Sequence, residues 1–277
     1  MANIFIFGLG YTAGRLAERL RSAGWAVAGT SRDGRGGTIA FDDAERVLGT
    51  LATAAHVLSS VPPDETGDPV LARYGAGLPG RWLGYLSSTG VYGDTGGAWV
   101  DESAPVGGGR RRARAEADAA WLALGARVFR LPGIYGPGRS PLDRLAAGAA
   151  HRVDMPGQVF SRVHVDDIAS GVIAGLEAPA GAYNLADDLP ASQNDVVAYA
   201  ARLLAMASPP VVALDSLSPA ARGFYAENRR VANGKAKRVL GWAPRYPDYR
   251  AGLRALSAMT NPTSVNSPPA TASQVQR

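Results

Sequence analysis

Three glycines offer the clearest chemistry in the chain. Gly8, Gly10 and Gly14 follow an apolar run, Ile4 to Phe7, and lead into a helical stretch from Ala13 to about Ala23. Strand, glycine turn and helix start in that order make an anion site. The glycines let the main chain approach a diphosphate, and the helix N-terminus supplies free N–H groups and positive dipole charge. The third glycine stands one residue later than in the common G-x-G-x-x-G spacing, and an ordinary strand–turn–helix would use the same residues. Directly after an apolar strand, the pattern points to a bound dinucleotide, with Tyr11 and Thr12 in the same turn.

The next apolar run, Trp25 to Thr30, bears on which dinucleotide it is. A site for NAD usually carries a carboxylate at this strand end, on the ribose hydroxyls. Here the end reads Thr30-Ser31-Arg32, with Asp33 and Arg35 behind it. A hydroxyl and a guanidinium suit a 2′-phosphate, which arginine grips with two charge-assisted hydrogen bonds. NADP(H) is therefore expected over NAD(H), through Ser31 and Arg32, with Asp33 still within reach of a ribose.

Bulk properties leave room for this chemistry and narrow the rest. The chain has 277 residues, 46% hydrophobic and 19% charged, with a mean hydropathy of -0.06. That suits one compact unit with ample core, or a domain with a smaller lobe. No apolar stretch approaches the ~20 residues of a membrane span. No basic segment followed by a long apolar one opens the chain, so a cytoplasmic protein without a signal peptide is expected. Without cysteine there is no disulfide, thiol nucleophile or thiolate metal site. His56, His151 and His164 are too scattered to suggest a metal. The net charge is +5 and the pI about 9.7, with the excess concentrated in Arg110-Arg111-Arg112-Ala113-Arg114. That run lacks the aromatics and the module of a nucleic-acid site. A solvated helix start, or attraction to a phosphate-bearing ligand, explains it better, and no nucleic-acid or membrane partner is expected.

The elements that must position these residues alternate through the first half. A short strand at 38–41 and a helix near 43–54 precede a buried strand, His56 to Val61, ending at Pro62-Pro63. A helix at 69–75 leads to the strand Trp82–Leu86 and then to Ser87-Ser-Thr-Gly-Val-Tyr-Gly93. A helix over 110–124, with Ala113, Ala117, Ala120, Trp121 and Leu124 on one face, feeds the strand Arg127–Leu131 and the turn Pro132–Gly138. Such alternation predicts an α/β fold, a doubly wound parallel sheet with ligands at the strand C-terminal ends. Farther on, helices are expected at 141–150, 163–176, 193–204 and 250–259, and a strand at 182–185. The composition from 260 to 277 predicts disorder. Residues 1–136 and 165–186 are expected to form the Rossmann domain, and 137–164 and 187–259 a small α+β substrate lobe.

With these segments placed, the chain resembles the extended short-chain dehydrogenase/reductase superfamily, the NAD(P)-dependent epimerase/dehydratase-like proteins, from about residue 3 to 255. Ser87–Gly93 resembles that family's active-site strand end, Asp101-Glu-Ser-Ala-Pro105 the acidic-proline stretch after it, and Arg130–Gly138 the loop closing over the nicotinamide. Val163-His-Val-Asp-Asp-Ile168 and Tyr183-Asn-Leu185 match two further landmarks. The Gly-Tyr-x-x-Gly start and the Gly-Trp-x-Pro-x-Tyr-Pro segment at 241–247 resemble an atypical, epimerase-like bacterial branch. The resemblance implies that Ser88 is the catalytic hydroxyl, that Ser60, Val61, Pro62 and Pro132 join the cofactor site, and that Thr89, Tyr135, Arg162 and His164 face the substrate. It implies a packing role for Tyr92 and a helix-capping role for Asp166 and Asp167. A homodimer through the 110–124 helix is a further family expectation.

One departure matters. The family's Tyr-x-x-x-Lys pair, anchored on Glu116, falls on Gly108 and Arg112. Glycine cannot move the proton that accompanies a hydride. Arg112 can still hold positive charge at the cofactor ribose, and is counted with Ser88 as a catalytic candidate. Two readings follow: an NADP(H)-dependent oxidoreductase or epimerase acting on a small polar or anionic substrate, or a non-catalytic NADP(H)-binding or redox-sensing module.

Overall fold

The computed structural model describes residues 2–109 and 112–260. Arg110 and Arg111 of the basic run lie outside the described residues, as does the expected disordered tail apart from Thr260, which closes the last helix. From the start the chain runs β1 (Asn3–Phe7), α1 (Tyr11–Ser22), β2 (Ala26–Ser31), β3 (Ile39–Ala40), α2 (Ala44–Leu51), β4 (His56–Ser59), α3 (Pro69–Tyr74) and β5 (Trp82–Ser88). A 3-10 turn, Thr89–Tyr92, and β6 (Trp99–Val100) precede α4 (Arg112–Ala123), β7 (Arg127–Leu131) and β8 (Gly133–Tyr135). Then come α5 (Pro141–Ala146), β9 (Arg152–Val153), β10 (Arg162–His164), α6 (Val165–Ala174) and β11 (Gly181–Asn184). The chain ends with α7 (Gln193–Leu203), β12 (Val211–Val212), α8 (Pro219–Tyr225), β13 (Arg230–Val231), α9 (Gly234–Leu240) and α10 (Tyr249–Thr260).

Seven strands form one parallel sheet in the order β11-β7-β5-β4-β1-β2-β3. Alternation along β1 sends Ile4 and Ile6 to one face, with Leu16 and Leu20 of α1 and Ile168 and Val172 of α6. Phe5 and Phe7 go to the other, with Val47, Leu51, Tyr74 and Trp121 from α2, α3 and α4. Both faces are covered, as a parallel sheet requires. Strand order reverses at β1, which lies between β2 and β4, so the loops after β1 and β4 diverge over a crevice at the sheet's C-terminal edge. A separate cluster joins Leu142 and Leu145 of α5, Val196 and Val197 of α7, and Leu253 and Leu256 of α10.

Several expected boundaries shift for identifiable reasons. α1 starts at Tyr11, so the glycine turn is tighter than the apolar pattern suggests. Val163 and His164, expected in a helix, pair with β8 instead, and α6 starts at Val165 with His164 as its N-cap. α5 stops at Ala146 rather than Ala150, because Gly148 turns left-handed at φ +64°. On α4 the buried residues are Ala115, Ala117, Asp118 and Trp121, while Ala120 and Leu124 are exposed. The charge on Arg130 draws Asp118 onto the sheet, which an apolar pattern cannot register.

Candidate active site

The turn after β1 is shaped like a cradle. Gly8 sits at φ +81°, and a Cβ there would stand 2.9 Å from Val61 Cγ2, so only glycine fits. Its N–H donates to Thr30 Oγ1 at 3.0 Å, and Ser60 Oγ donates to its carbonyl at 2.6 Å. These bonds fasten the turn to β2 and to the loop after β4. Gly10 and Gly14 face open space, with no heavy atom within 4 Å of where a Cβ would lie. α1 begins without a side-chain cap and without an acidic residue in its first turn. Its first N–H groups and positive dipole end are left for an anion, and the residues present fit a dinucleotide diphosphate. Tyr11 donates to Pro137 O at 3.1 Å with Arg139 over its ring, tying the cradle to the loop that follows β8.

At the end of β2, Asp33 turns into its own loop, accepting from Arg35 Nε at 3.0 Å and from Ser31 Oγ at 3.3 Å. Ser31 Oγ also accepts from Gly34 N and from Thr38 Oγ1. Arg32 is exposed at the strand tip. Thus Asp33 is engaged with a cation, the Ser31 hydroxyl is held within the loop, and the group exposed at the strand tip is the Arg32 guanidinium.

Beyond Pro132 opens a cleft of about 510 Å³ with Ser88, Thr89, Arg114, Glu227 and Arg229 in its walls. Ser88 Oγ accepts from Gly90 N at 3.1 Å, which caps the 3-10 turn and leaves the hydroxyl hydrogen able to donate. Arg229 Nη1 donates to Gly93 O at 2.6 Å and to Glu227 Oε2 at 2.8 Å. Arg112 is not part of the cleft. Its side chain is 87% exposed and pairs with Glu116 one turn along at 2.7 Å, because the first turn of α4 carries it outward. Gly108 is exposed as well. The α4 cation that lines the cleft is Arg114, two residues on.

A buried network backs this wall. Asp118 and Arg130, 1% and 3% exposed, pair at 2.7 Å, and Ser87 Oγ donates to Asp118 at 2.6 Å. Arg130 donates to Tyr92 Oη at 3.0 Å, and Tyr92 donates to Asn184 Oδ1 at 2.8 Å. Burial pushes the Tyr92 phenol above its ordinary pKa. Tyr92 is a packing and network residue.

The remaining candidates lie deeper. His164 is buried, its Nδ1 accepts from Asp166 N at 3.2 Å, and burial lowers its pKa to about 4. It is a neutral cap and does not line the cleft. Asp166 receives Arg15 Nε at 2.6 Å, locking α6 to α1, and Asp167 accepts from the main-chain N–H groups of Arg245 and Tyr246 at 2.8 and 3.1 Å. Neither caps α6 as expected: His164 is the N-cap, and the two aspartates sit in the first turn and bind other segments. Arg162 donates to Phe160 O, Ala191 O and Gln193 Oε1, and burial lowers its pKa. Tyr135 packs edge-on to His164, and burial raises its phenol. Asp187 is buried with neither carboxylate oxygen bonded, and burial raises its pKa to about 8.

Sequence reasoning passed over Glu227 and Arg229, which sit in no motif between α8 and β13. It also passed over Arg114, hidden inside a basic run. Only the helix phase of α4, set by the inward turn of Asp118, separates Arg114 from Arg112.

The parallel seven-stranded sheet, the glycine cradle and the Ser88 strand end place the chain in the extended short-chain dehydrogenase/reductase superfamily, among its epimerase/dehydratase-like members. No family model matches the chain. A conserved protein of unknown function from Silicibacter pomeroyi is 43% identical, with a TM-score of 0.87 over 94% of this chain and 99% of that one. An NAD-dependent epimerase/dehydratase structure from Methylobacillus flagellatus is 26% identical, with a TM-score of 0.73 over 94% and 99%. The human epimerase-family protein SDR39U1, solved with NADPH, shares the fold at 15% identity, with a TM-score of 0.75 over 92% and 99%. A 3-diazoavenalumate denitrifying reductase from a Streptomyces species is 32% identical over 142 residues, 47% of this chain and 46% of that protein. The match thus spans about half the length of that relative. No described helix is long and apolar enough to cross a membrane.

Proposed function

We propose that the chain is an NADP(H)-dependent oxidoreductase acting on a small polar or anionic substrate held at Ser88. The observation that carries this reading is an open glycine cradle opposite an uncapped helix start, on the same sheet edge as a cleft walled by Ser88 and arginines. Gly8, Gly10, Tyr11, Thr12 and Gly14 would hold the diphosphate and Ser31 and Arg32 the 2′-phosphate. Ser60, Val61 and Pro62 would flank the nucleotide, and Pro132 would border the nicotinamide end. When bound, the nicotinamide supplies or accepts a hydride. Ser88 donates its hydrogen to the substrate oxygen while Gly90 N–H fixes the hydroxyl, with Thr89 beside it. Arg114 brings a guanidinium to the same wall, where Arg229 is already paired with Glu227. Gly108 supplies no phenol, and a guanidinium does not titrate near neutrality, so the accompanying proton comes from water in the open cleft. The Streptomyces relative is a reductase by name, which supports reduction as the direction.

A non-catalytic NADP(H)-binding or redox-sensing role is the second reading, favoured by Gly108. Loss of NADPH absorbance in the presence of carbonyl and diazo compounds separates the two. Turnover is expected, and Ser88→Ala should lower kcat by about 10- to 100-fold with NADPH affinity unchanged. No NADPH consumption with any member of the panel would favour the binding module. Turnover indifferent to Ser88→Ala would remove that hydroxyl from the mechanism.

A further inference from the structure

A second and larger cavity, about 700 Å³, lies beyond the Ser88 cleft, and Gly133, Phe160 and Phe224 line both. Phe224, 67% exposed on α8, stands at the junction. The chamber is walled by Tyr135, Val196, Val197, Tyr225, Tyr249 and Leu253. Phe160 and Tyr225 meet edge-to-face at 5.5 Å, as do Tyr199 and Tyr249 at 5.7 Å behind the wall. Such a lining favours an aromatic ring.

The polar groups of the chamber limit what the ring can carry. The N-terminus of α5 lies at its edge, but a capping box closes it: Asp143 Oδ2 accepts from Ser140 N at 2.7 Å, and Ser140 Oγ accepts from Asp143 N at 3.3 Å. A carboxylate already occupies that helix end and would repel a phosphate. Arg144 donates to Ala149 O, and Arg139 lies over Tyr11. Arg162, 7% exposed at the chamber wall, makes three hydrogen bonds to Phe160, Ala191 and Gln193. Of the five N–H donors of its guanidinium two remain, enough for one carboxylate.

The geometry points to a substrate whose non-reacting part is an aromatic ring bearing a carboxylate, seated in this chamber with Arg162 at the carboxylate, while the reacting end reaches Ser88. The inference deepens the proposed function and rests on it for the reacting end alone. Calorimetry of the full chain with cinnamate, UDP and UDP-glucose as separate probes, alongside NADPH, tests it. Saturable cinnamate binding is expected, with none for UDP or UDP-glucose. Ala147→Trp, at an exposed position on the chamber wall, should weaken cinnamate at least about tenfold and leave NADPH unchanged. Phe224→Ala, an exposed truncation that cannot disturb the core, should weaken cinnamate several-fold. Binding of UDP but not cinnamate, or cinnamate affinity indifferent to both variants, overturns the proposal. Cinnamate binding without NADPH binding would leave the chamber standing and sink the oxidoreductase reading.

Discussion

Asp187 and His164 carry opposite pH signatures. His164 holds a folded pKa of about 4 against 6.5 unfolded, so the unfolded chain binds the extra proton between those values and stability falls as pH drops through them. Asp187 holds about 8 against 3.8, so the unfolded chain loses its proton first and stability falls as pH rises from 3.8 to 8. The two effects oppose each other below pH 6.5, and above it Asp187 acts alone. Urea midpoints should decline from pH 6.5 to 8 by an equivalent of about 1–2 kcal/mol, and Asp187→Asn should flatten the decline. A flat profile in the parent protein would contradict the buried, uncharged Asp187. At the other end of the sheet edge, Arg32→Glu should cost NADPH at least about tenfold in affinity and favour NADH, since it replaces the proposed phosphate grip with a carboxylate. Unchanged NADPH affinity would place the 2′-phosphate elsewhere.

Helix α4 shows why an element's face matters more than its existence. Its presence and length were legible from 110–124, yet its phase was not, because the residue that sets it is a buried acid. Asp118 anchors to Arg130 and Ser87, which turns Arg112 to solvent and Arg114 to the cleft. Asp118→Ala leaves the Arg130 charge buried and should cost about 3–5 kcal/mol in thermal or urea unfolding. Glu116→Ala, which breaks only the exposed pair on the same helix, should stay within about 0.5 kcal/mol. Equal effects would mean that the buried network does not hold this wall.

Across the whole molecule, the doubly wound sheet was readable because apolar runs, glycine turns and helical spacing agree on it, from Ile4–Phe7 to Tyr183–Leu185. The glycine turn was readable for the same reason: Gly8, Gly10 and Gly14 stand between an apolar strand and a helix start. The cleft was less so. Glu227, Arg229 and the α8 wall come from sequence about 130 to 140 residues beyond Ser88 with no periodic or motif signal, and only the tertiary fold brings them opposite it. His164 had the right residue type for a ligand but caps α6 through the main-chain N–H of Asp166, and Arg162 spends three of its donors on Phe160, Ala191 and Gln193. The cofactor is the hinge of the functional reading, and calorimetric titration with NADPH and NADH, on the parent chain and on Gly10→Val, tests it most directly. Gly10 borders open space, so valine there should fold normally and fill only the cradle. NADPH binding at least about tenfold tighter than NADH, abolished by Gly10→Val, is the expected result. No binding of either nucleotide, or NADPH binding untouched by Gly10→Val, would contradict it.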